Sequence, residues 1–239
     1  MRLSINKRRF KPEKTARFPV KDTISDRTIN VSYIRLDAVC GISQDEANHP
    51  LEYIINMTSD FGVVGAGGAS GQRRSYVVIP TFKLPKLLYN HVIKSVNFCY
   101  TVDQYRAHNG IYFTADSYLV KLEDPTTTDL ELFYHGTEAE ETNEDVIYID
   151  SYDFGVETTD TVDFNPPINI THQLVGDSLD WFRNNLYDNN IPTQDNVYFR
   201  LNKSVPDVEN LGGAALNRFG FVESLDCTRL TITTMHKGN

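Results

Sequence analysis

Short runs in which apolar and polar side chains alternate recur along most of this chain. The clearest is Val197–Asn202, where Val197, Phe199 and Leu201 alternate with Tyr198 and polar neighbours. Successive side chains of a strand point to opposite faces, and half-buried antiparallel strands therefore need a period of two. The pattern predicts antiparallel strands that each place one face on a core.

Turn residues separate the candidate strands along the chain. The candidates are Arg27–Leu36, Leu51–Met57, Ser75–Phe82, His91–Val102, Ile111–Val120, Asp145–Asp150, Ile168–Val175, Val197–Asn202, Arg218–Ser224 and Cys227–Met235. Asp177–Tyr187 alone has helical spacing of its apolar residues, and Asp177 or Ser178 can cap it. Many strands and one short helix predict an all-β fold, an antiparallel two-sheet jelly-roll sandwich.

Two runs carry finer information on which side chains face the core. In His91–Val102 the residues predicted to share the core face are Val92, Val96, Phe98, Tyr100 and Val102. In Ile111–Val120 the apolar phase changes between Ala115 and Tyr118. A change of phase within one strand predicts a β-bulge or a corner near Asp116-Ser117.

The first 21 residues carry a charge opposite to that of the rest of the chain. Their basic side chains are Arg2, Lys7, Arg8, Arg9, Lys11, Lys14, Arg17 and Lys21. Glu13 is the one acid among them, so the segment has a charge of +7, and the whole chain has −9. Residues 22–239, with 15 basic and 31 acidic side chains, therefore carry −16. We expect residues 1–25 to form an extended basic arm and residues 26–239 to form the β-sandwich domain.

Such an arm is typical of segments that hold a partner. An acidic neighbouring subunit, a nucleic acid or a membrane surface would each attract it. A solvated tail without a partner is the alternative. Because the domain is acidic, we expect nucleic acid to contact the arm and not to run over the domain.

Cysteine usage and hydropathy indicate where the chain folds. Cys40, Cys99 and Cys227 are an odd number at long spacings, which favours buried thiols in a reducing compartment. The basic start is followed by Phe10-Lys11-Pro12-Glu13 and not by the apolar core of a secretory signal. No apolar run reaches the length of about 18 residues that a spanning helix needs. We expect assembly in a bacterial host cytoplasm and a final location in a virion.

A glycine-rich stretch, Val63–Gly71, is similar to a dinucleotide-binding fingerprint. That fingerprint needs a helix directly after its glycines, to bind pyrophosphate at the helix N-terminus. Here Arg73 and Arg74 follow, and then the strand-forming run Ser75–Pro80. We interpret the stretch as a flexible glycine loop between strands.

Acidic and histidine residues do not form a recognisable metal site in the sequence. Asp145, Asp150, Asp153, Asp160 and Asp163 lie close together in sequence, but without the spacing of an EF-hand loop. A solvated acidic edge is the preferred interpretation, with Ca²⁺ as the one ion that such loops could bind. The histidines have no HxH or HxxxH spacing. We therefore predict no cofactor and no catalytic residues.

Three residues outside the arm are candidates for contact with a ligand or partner. Tyr198 lies on the polar phase of its strand, where an exposed ring could stack on a ligand. Arg73 and Arg74 follow the glycine stretch. Trp181 could also stack on a sugar, but its place inside the only helix favours core packing.

Two segments together resemble the DNRLRE-type β-sandwich, a jelly-roll domain of bacterial and archaeal surface proteins that is likened to carbohydrate-binding modules. The first is Arg74–Pro85 with Val92–Phe98, and the second runs from Ile170-Thr171 through the helix with Trp181 and the strand Val197–Leu201 to Thr228–Thr233. The match covers about residues 55–235. Pro80 stands where a strand Phe is expected, and Thr228 stands near the usual proline. The resemblance implies a jelly-roll fold and carries over no catalytic residue.

The sequence thus predicts a non-enzymatic structural subunit of a larger assembly. We favour a bacteriophage virion or tail component that forms homo-oligomers through its arm and contacts neighbouring protein subunits. The alternative is a glycan-binding module of a surface or adhesion protein. A polysaccharide-active enzyme ranks below both.

Overall fold

The computed structural model describes most of the chain outside the N-terminal arm. The described ranges are 26–31, 33–43, 52–56, 63–67, 73–107, 113–121, 145–155, 161–204, 218–222 and 228–237. The first strands are β1 (Arg27–Val31), β2 (Tyr33–Ser43), β3 (Glu52–Asn56), β4 (Val63–Gly67), β5 (Arg73–Lys83), β6 (His91–Arg106) and β7 (Thr114–Val120). The remaining elements are β8 (Val146–Asp153), β9 (Thr161–Gln173), α1 (Gly176–Leu186), β10 (Tyr187–Asp188), β11 (Ile191–Pro192), β12 (Asn196–Lys203), β13 (Arg218–Phe221) and β14 (Arg229–His236).

The long strands form two facing antiparallel layers. One layer has the order β9-β6-β14-β1, and the other has the order β3-β2-β5-β12-β7-β8. The short strands β13 and β4 join the layers, because β13 pairs with β6 and β4, and β4 pairs with β5. The predicted all-β antiparallel sandwich with one short helix is confirmed.

Aromatic side chains fill the space between the layers. Phe98 of β6 stacks on Phe199 of β12 with ring centroids 4.1 Å apart, and Phe82 of β5 meets both rings edge-on. Val197 and Leu201 are fully buried in the same cluster. The alternation predicted for this strand is confirmed, and its apolar phase faces the core.

The long strand β6 departs from the predicted phase at two positions. Its register with β14 shifts between the pairs Thr233–Ser95 and Thr234–Ile93, so Lys94 has no counterpart. As a consequence, Ile93 faces the core and is buried, while Val92 is only half-buried. The expectation that Val92 lies on the core face is wrong, because an unpaired residue reverses the alternation.

Other local expectations have mixed outcomes. The predicted change of phase within β7 is wrong, because β7 pairs with β12 in unbroken register and Ala115 and Leu119 both lie in the core. A bulge is present beside Ser117, but it lies in β8, where Ile149 is the extra residue between the pairs Ser117–Asp150 and Tyr118–Tyr148. Val63–Gly67, interpreted as loop, is instead β4, and its backbone pairs with β5 and β13. Sequence patterns missed this strand because glycine and alanine give no apolar alternation.

In the described part of the chain one side of the sandwich is open, because β8 and β9 lie next to each other there without backbone pairing. Nearer the start of β6, α1 takes the place of β9 and buries Phe182 and Leu186 in the core. Arg183 fixes the helix to β6 by donating from Nε and Nη2 to the Ile93 carbonyl at 3.1 and 2.6 Å. Trp181 is half-buried against the core, as expected for a packing role. No helix in the described ranges is long and apolar enough to cross a membrane.

Candidate functional site

A polar link connects the two layers at the open side. Asp150 of β8 lies 3.3 Å from Nδ1 of His172 on β9, and Nε2 of that histidine lies 3.4 Å from the Tyr100 hydroxyl on β6. Asp150 also accepts a hydrogen bond from the Ser151 amide at 2.9 Å. Both edge strands are thereby held together by side chains.

The partners determine the direction of these hydrogen bonds. Burial lowers the pKa of His172, and the hydrogen bond with Asp150 opposes that shift. A neutral ring beside a carboxylate carries its proton on Nδ1, so we assign Nδ1 as the donor to Asp150 and Nε2 as the acceptor from Tyr100. Burial raises the pKa of Tyr100 well above its ordinary value, which keeps its hydroxyl protonated as a donor.

The inner end of the link is closed to solvent. Tyr100 and Ser117 are fully buried, and the Ser117 hydroxyl lies close enough to Tyr100 to oppose the rise in its pKa. Yet no described residue gives Ser117 Oγ a hydrogen bond of ordinary geometry, so this contact is loose. The carboxylate of Asp150, with 60% of its side chain exposed, is the solvated end of the link. The arrangement joins strands, and it offers a substrate no access to either hydroxyl.

A second buried polar group lies on the opposite face of β7 and β12. Arg200 is fully buried, and its guanidinium lies 4.2 Å from the centroid of the Tyr118 ring. Burial raises the pKa of Asp116 to about 6, although the Thr114 hydroxyl and Arg200 both favour its ionised form. The Thr114 hydroxyl donates to Asp116 Oδ1 at 2.8 Å. Because Arg200 is shielded from water, we assign this group to the fold and not to a ligand.

Exposed carboxylates follow the free edge beside the first polar link. Asp145 directly precedes β8, Asp150 lies within it, Asp153 is its last residue, and Asp163 lies on β9. All four side chains are exposed, and Asp160, the fifth acid predicted for this edge, lies outside the described residues. The predicted acidic edge is therefore present at these positions. Among the residues described, no three histidine, cysteine or acidic side chains come close enough to hold a metal ion.

The arm joins the domain at one end of the sandwich, which we call the arm end. There Arg27 pairs with Thr234, and the Lys237 amide donates to the Asn90 carbonyl. The opposite end, which we call the far end, holds the last residues of β6 and β8. Asp153 and Asp163 lie at the far end, where they pair with Thr114 and Gln104. These two exposed carboxylates thus lie at the end remote from the root of the arm, while Asp188 and Asp195 are exposed near the arm end.

The arm end also carries exposed apolar side chains. Tyr89, in the turn between β5 and β6, is 87% exposed, and Ile191 and Met235 are exposed near it. Asn190, in the two-residue turn of the β10–β11 hairpin, donates from Nδ2 to the carbonyls of Leu88 and Tyr89 at 2.7 and 3.0 Å. Positive φ at Asn189 and Asn190 suits such a turn. The hairpin therefore fixes the backbone that presents Tyr89.

The predicted contact residues have different outcomes. Tyr198 is 2% exposed, so the expectation of an exposed ring there is wrong: the outer face of β12 is itself covered, as the buried Arg200 also shows. The backbones of Arg73 and Arg74 pair with Ser43 and Ile42 in β2, while their side chains lie outside the described residues.

The basic arm residues Arg2 to Lys21 lie outside the described residues. The sequence did not reveal the Asp150–His172 contact, because the two residues are 22 positions apart and no spacing rule connects them.

No protein-family model matches this chain, and no curated protein is similar enough to identify a relative. The resemblance to the DNRLRE-type domain stays a prediction.

Proposed function

We propose that this chain is a non-enzymatic structural subunit of a larger assembly, a bacteriophage virion or tail component, and that its copies associate through the basic arm. The observation that carries the proposal is the opposite charge of the arm and of the domain that it joins, with +7 on residues 1–21 and −16 on residues 22–239. The arm joins the sandwich at the arm end through Asp26 and β1. Asp153 and Asp163 are exposed at the far end.

The opposite charges of the arm and the domain suit a head-to-tail contact between copies. An arm that leaves one end of a copy meets carboxylates at the opposite end of the next copy, and the same contact can then be repeated. Such heterologous contacts give rings where the rotation closes and filaments where it does not. Both are forms that virion and tail subunits adopt.

The root of the arm is held firmly enough to transmit such a contact. Five residues of β1 pair with β14, and Lys94 forms an ion pair with Asp26 directly before the strand. Backbone hydrogen bonds of the sheet therefore anchor the arm to the domain.

Removal of residues 1–21 tests the proposal. We expect the full-length chain to form oligomers and the shortened chain to have the monomer mass of about 25 kDa by light scattering. A variant of full length, with all eight basic arm residues changed to Gln, distinguishes loss of charge from loss of length and should also be monomeric. An unchanged oligomer mass in both variants, with thermal unfolding showing that each is folded, would contradict the proposal.

Tyr89 favours a second candidate, a glycan-binding module. An exposed aromatic ring on a backbone fixed by Asn190 can stack on a sugar without losing much conformational freedom. A glycan array tests this candidate: sugar-dependent retention that is lost in Tyr89→Ala, and kept in Ile191→Ala, supports it. Absence of retention for the unchanged chain rejects it.

A further inference from the structure

We propose that the free edge of β8 binds the segment Arg2–Phe10 of a neighbouring copy as an added β-strand. This inference rests on the proposed function and names the surface and the segment that would make the contact. Strand addition satisfies the unpaired backbone groups of a sheet edge, and side-chain charges then select the partner.

The edge itself is suited to addition. Among the described strands β7 alone pairs with β8, so no described strand lies on the other side of β8. β8 has eight residues and no proline, whereas β1 and β3, at the other margins, have five each. β9 contains Pro166 and Pro167, which have no amide hydrogen to donate to a neighbouring strand.

Charge along β8 matches the segment. Asp145, Asp150 and Asp153 are exposed along this edge, and Val146–Asp153 contains no basic residue. Asp150 bonds to His172 with one oxygen but keeps most of its side chain in solvent. Arg2–Phe10 has four basic residues, Arg2, Lys7, Arg8 and Arg9, and no acid. Charged side chains of one sign along an edge repel a second copy of the same edge. A strand of opposite charge is attracted to that edge instead.

The segment also has the length and pattern of a strand. Its nine residues contain no proline, and Pro12 follows shortly after its end. Leu3 and Ile5 share one phase, which would cover apolar atoms of β8 such as those of the exposed Tyr148. The segment can therefore pair along almost the whole of β8.

The positions of the two margins favour a second copy as the source of the segment. β1, from which the arm extends, is at the margin of its layer opposite β9, and β8 lies on the β9 side. The 15 residues between Phe10 and Asp26 span at most about 50 Å when extended. An arm that paired with its own β8 would have to cross the sandwich, whereas in a head-to-tail contact it continues to the next copy.

Charge reversal on the full-length chain tests the edge. We expect Asp145→Lys with Asp153→Lys to reduce the oligomer to the monomer mass of 27.2 kDa. The control, Asp188→Lys with Asp195→Lys, changes the net charge equally at exposed positions near the arm end and should keep the oligomer. Arg8→Glu with Arg9→Glu should also give monomers, and its combination with the β8 variant should restore the oligomer.

Hydrogen exchange provides a readout specific to strand addition. In the oligomer we expect the outward amides of 146–153 to exchange at least tenfold more slowly than in the Arg8→Glu/Arg9→Glu variant. This comparison leaves β8 unchanged, so it does not depend on whether the β8 variant folds.

The outcomes separate this inference from the proposed function. Suppose that Arg8→Glu with Arg9→Glu gives a monomer, that Asp145→Lys with Asp153→Lys stays oligomeric, and that hydrogen exchange of 146–153 does not differ between the oligomer and the arm variant. The arm then binds elsewhere, and only its assignment to the edge of β8 is overturned. If neither variant changes the mass, both proposals fail. A monomeric full-length chain with slow exchange in 146–153 would mean that the arm binds its own β8. An oligomer that dissociates on nuclease treatment would mean that the arm binds nucleic acid. Either result would overturn the inference.

Discussion

His172 of β9 contacts Asp150 of β8 at 3.3 Å, across a side of the sandwich where the described strands share no backbone pairing. This contact links the layers at their open margin, and Tyr100 extends it to the core. It also keeps β8 beside β9, so the strand that carries the link is the strand that ends its layer.

Tyr100→Phe tests the contribution of the link to stability. The substitution removes only the hydroxyl and leaves Nε2 of the buried His172 without that donor. We expect the free energy of unfolding to fall by about 1–3 kcal/mol in urea titrations. Tyr89→Phe, the same change at an exposed ring, is the control and should have no measurable effect. Equal effects of the two changes would show that the link contributes nothing.

The pH dependence of stability tests the state of His172. Its pKa in the folded protein lies below the ordinary value of 6.5, so the unfolded chain binds the proton first as the pH falls. The free energy of unfolding should therefore fall as the pH decreases below about 6.5. In His172→Gln this decrease should be absent, and stability at pH 7.5 should be lower. A decrease of the same size in the variant would assign it to other groups.

Asp116 should have the opposite effect on pH dependence. Its pKa is raised from 3.8 to about 6, so the folded protein binds this proton more tightly than the unfolded chain. Its contribution to stability is full at low pH and is lost as the pH rises from about 4 to about 6. Relative to the unchanged protein, Asp116→Asn should therefore gain stability between pH 4 and pH 7, by up to about 3 kcal/mol.

Asp188→Asn is the control for that comparison, because it makes the same change at an exposed side chain. A stability difference between Asp116→Asn and the unchanged protein that stays constant from pH 4 to pH 7 would contradict the assignment.

The contact between the layers depends on the stack of Phe98 and Phe199. Phe199→Ala removes a fully buried ring that lies 4.1 Å from its partner, and it should destabilise the fold by about 3–5 kcal/mol. Ile191→Ala, at an exposed position, is the control. A loss below about 1 kcal/mol, measured by urea unfolding, would mean that the layers do not pack through this pair.

Local patterns predicted most of the long strands and the helix, because burial on one face leaves a period in the sequence, but they missed β4 and the first part of β9. β12 was predicted as Val197–Asn202 and extends from Asn196 to Lys203, and α1 was predicted within one residue at each end. The phase of β6 could not be predicted throughout, since an unpaired Lys94 reverses it without any change in composition. In β7 the apolar residues mark two phases, but the strand keeps one core phase, and the bulge lies at Ile149 of its neighbour β8.

The candidate site was less predictable than the fold. The Asp150–His172 contact joins two strands that are adjacent only in the folded chain, and Tyr198 has the alternation of an exposed residue although its face is covered. Alternation distinguishes two faces but does not show whether the second face meets water. The acidic character of β8 was readable from sequence; its position at a free edge required the strand order.

The mass of the full-length chain in solution, at low and high salt and with and without residues 1–21, tests the central claim most directly. Attraction between the arm and the carboxylates should weaken as the screening length falls from about 10 Å at 0.1 M to about 3 Å at 1 M salt. We predict a multiple of 27.2 kDa at low salt, dissociation at high salt, and a monomer at both when residues 1–21 are absent. A mass that depends on neither salt nor the arm would contradict the account.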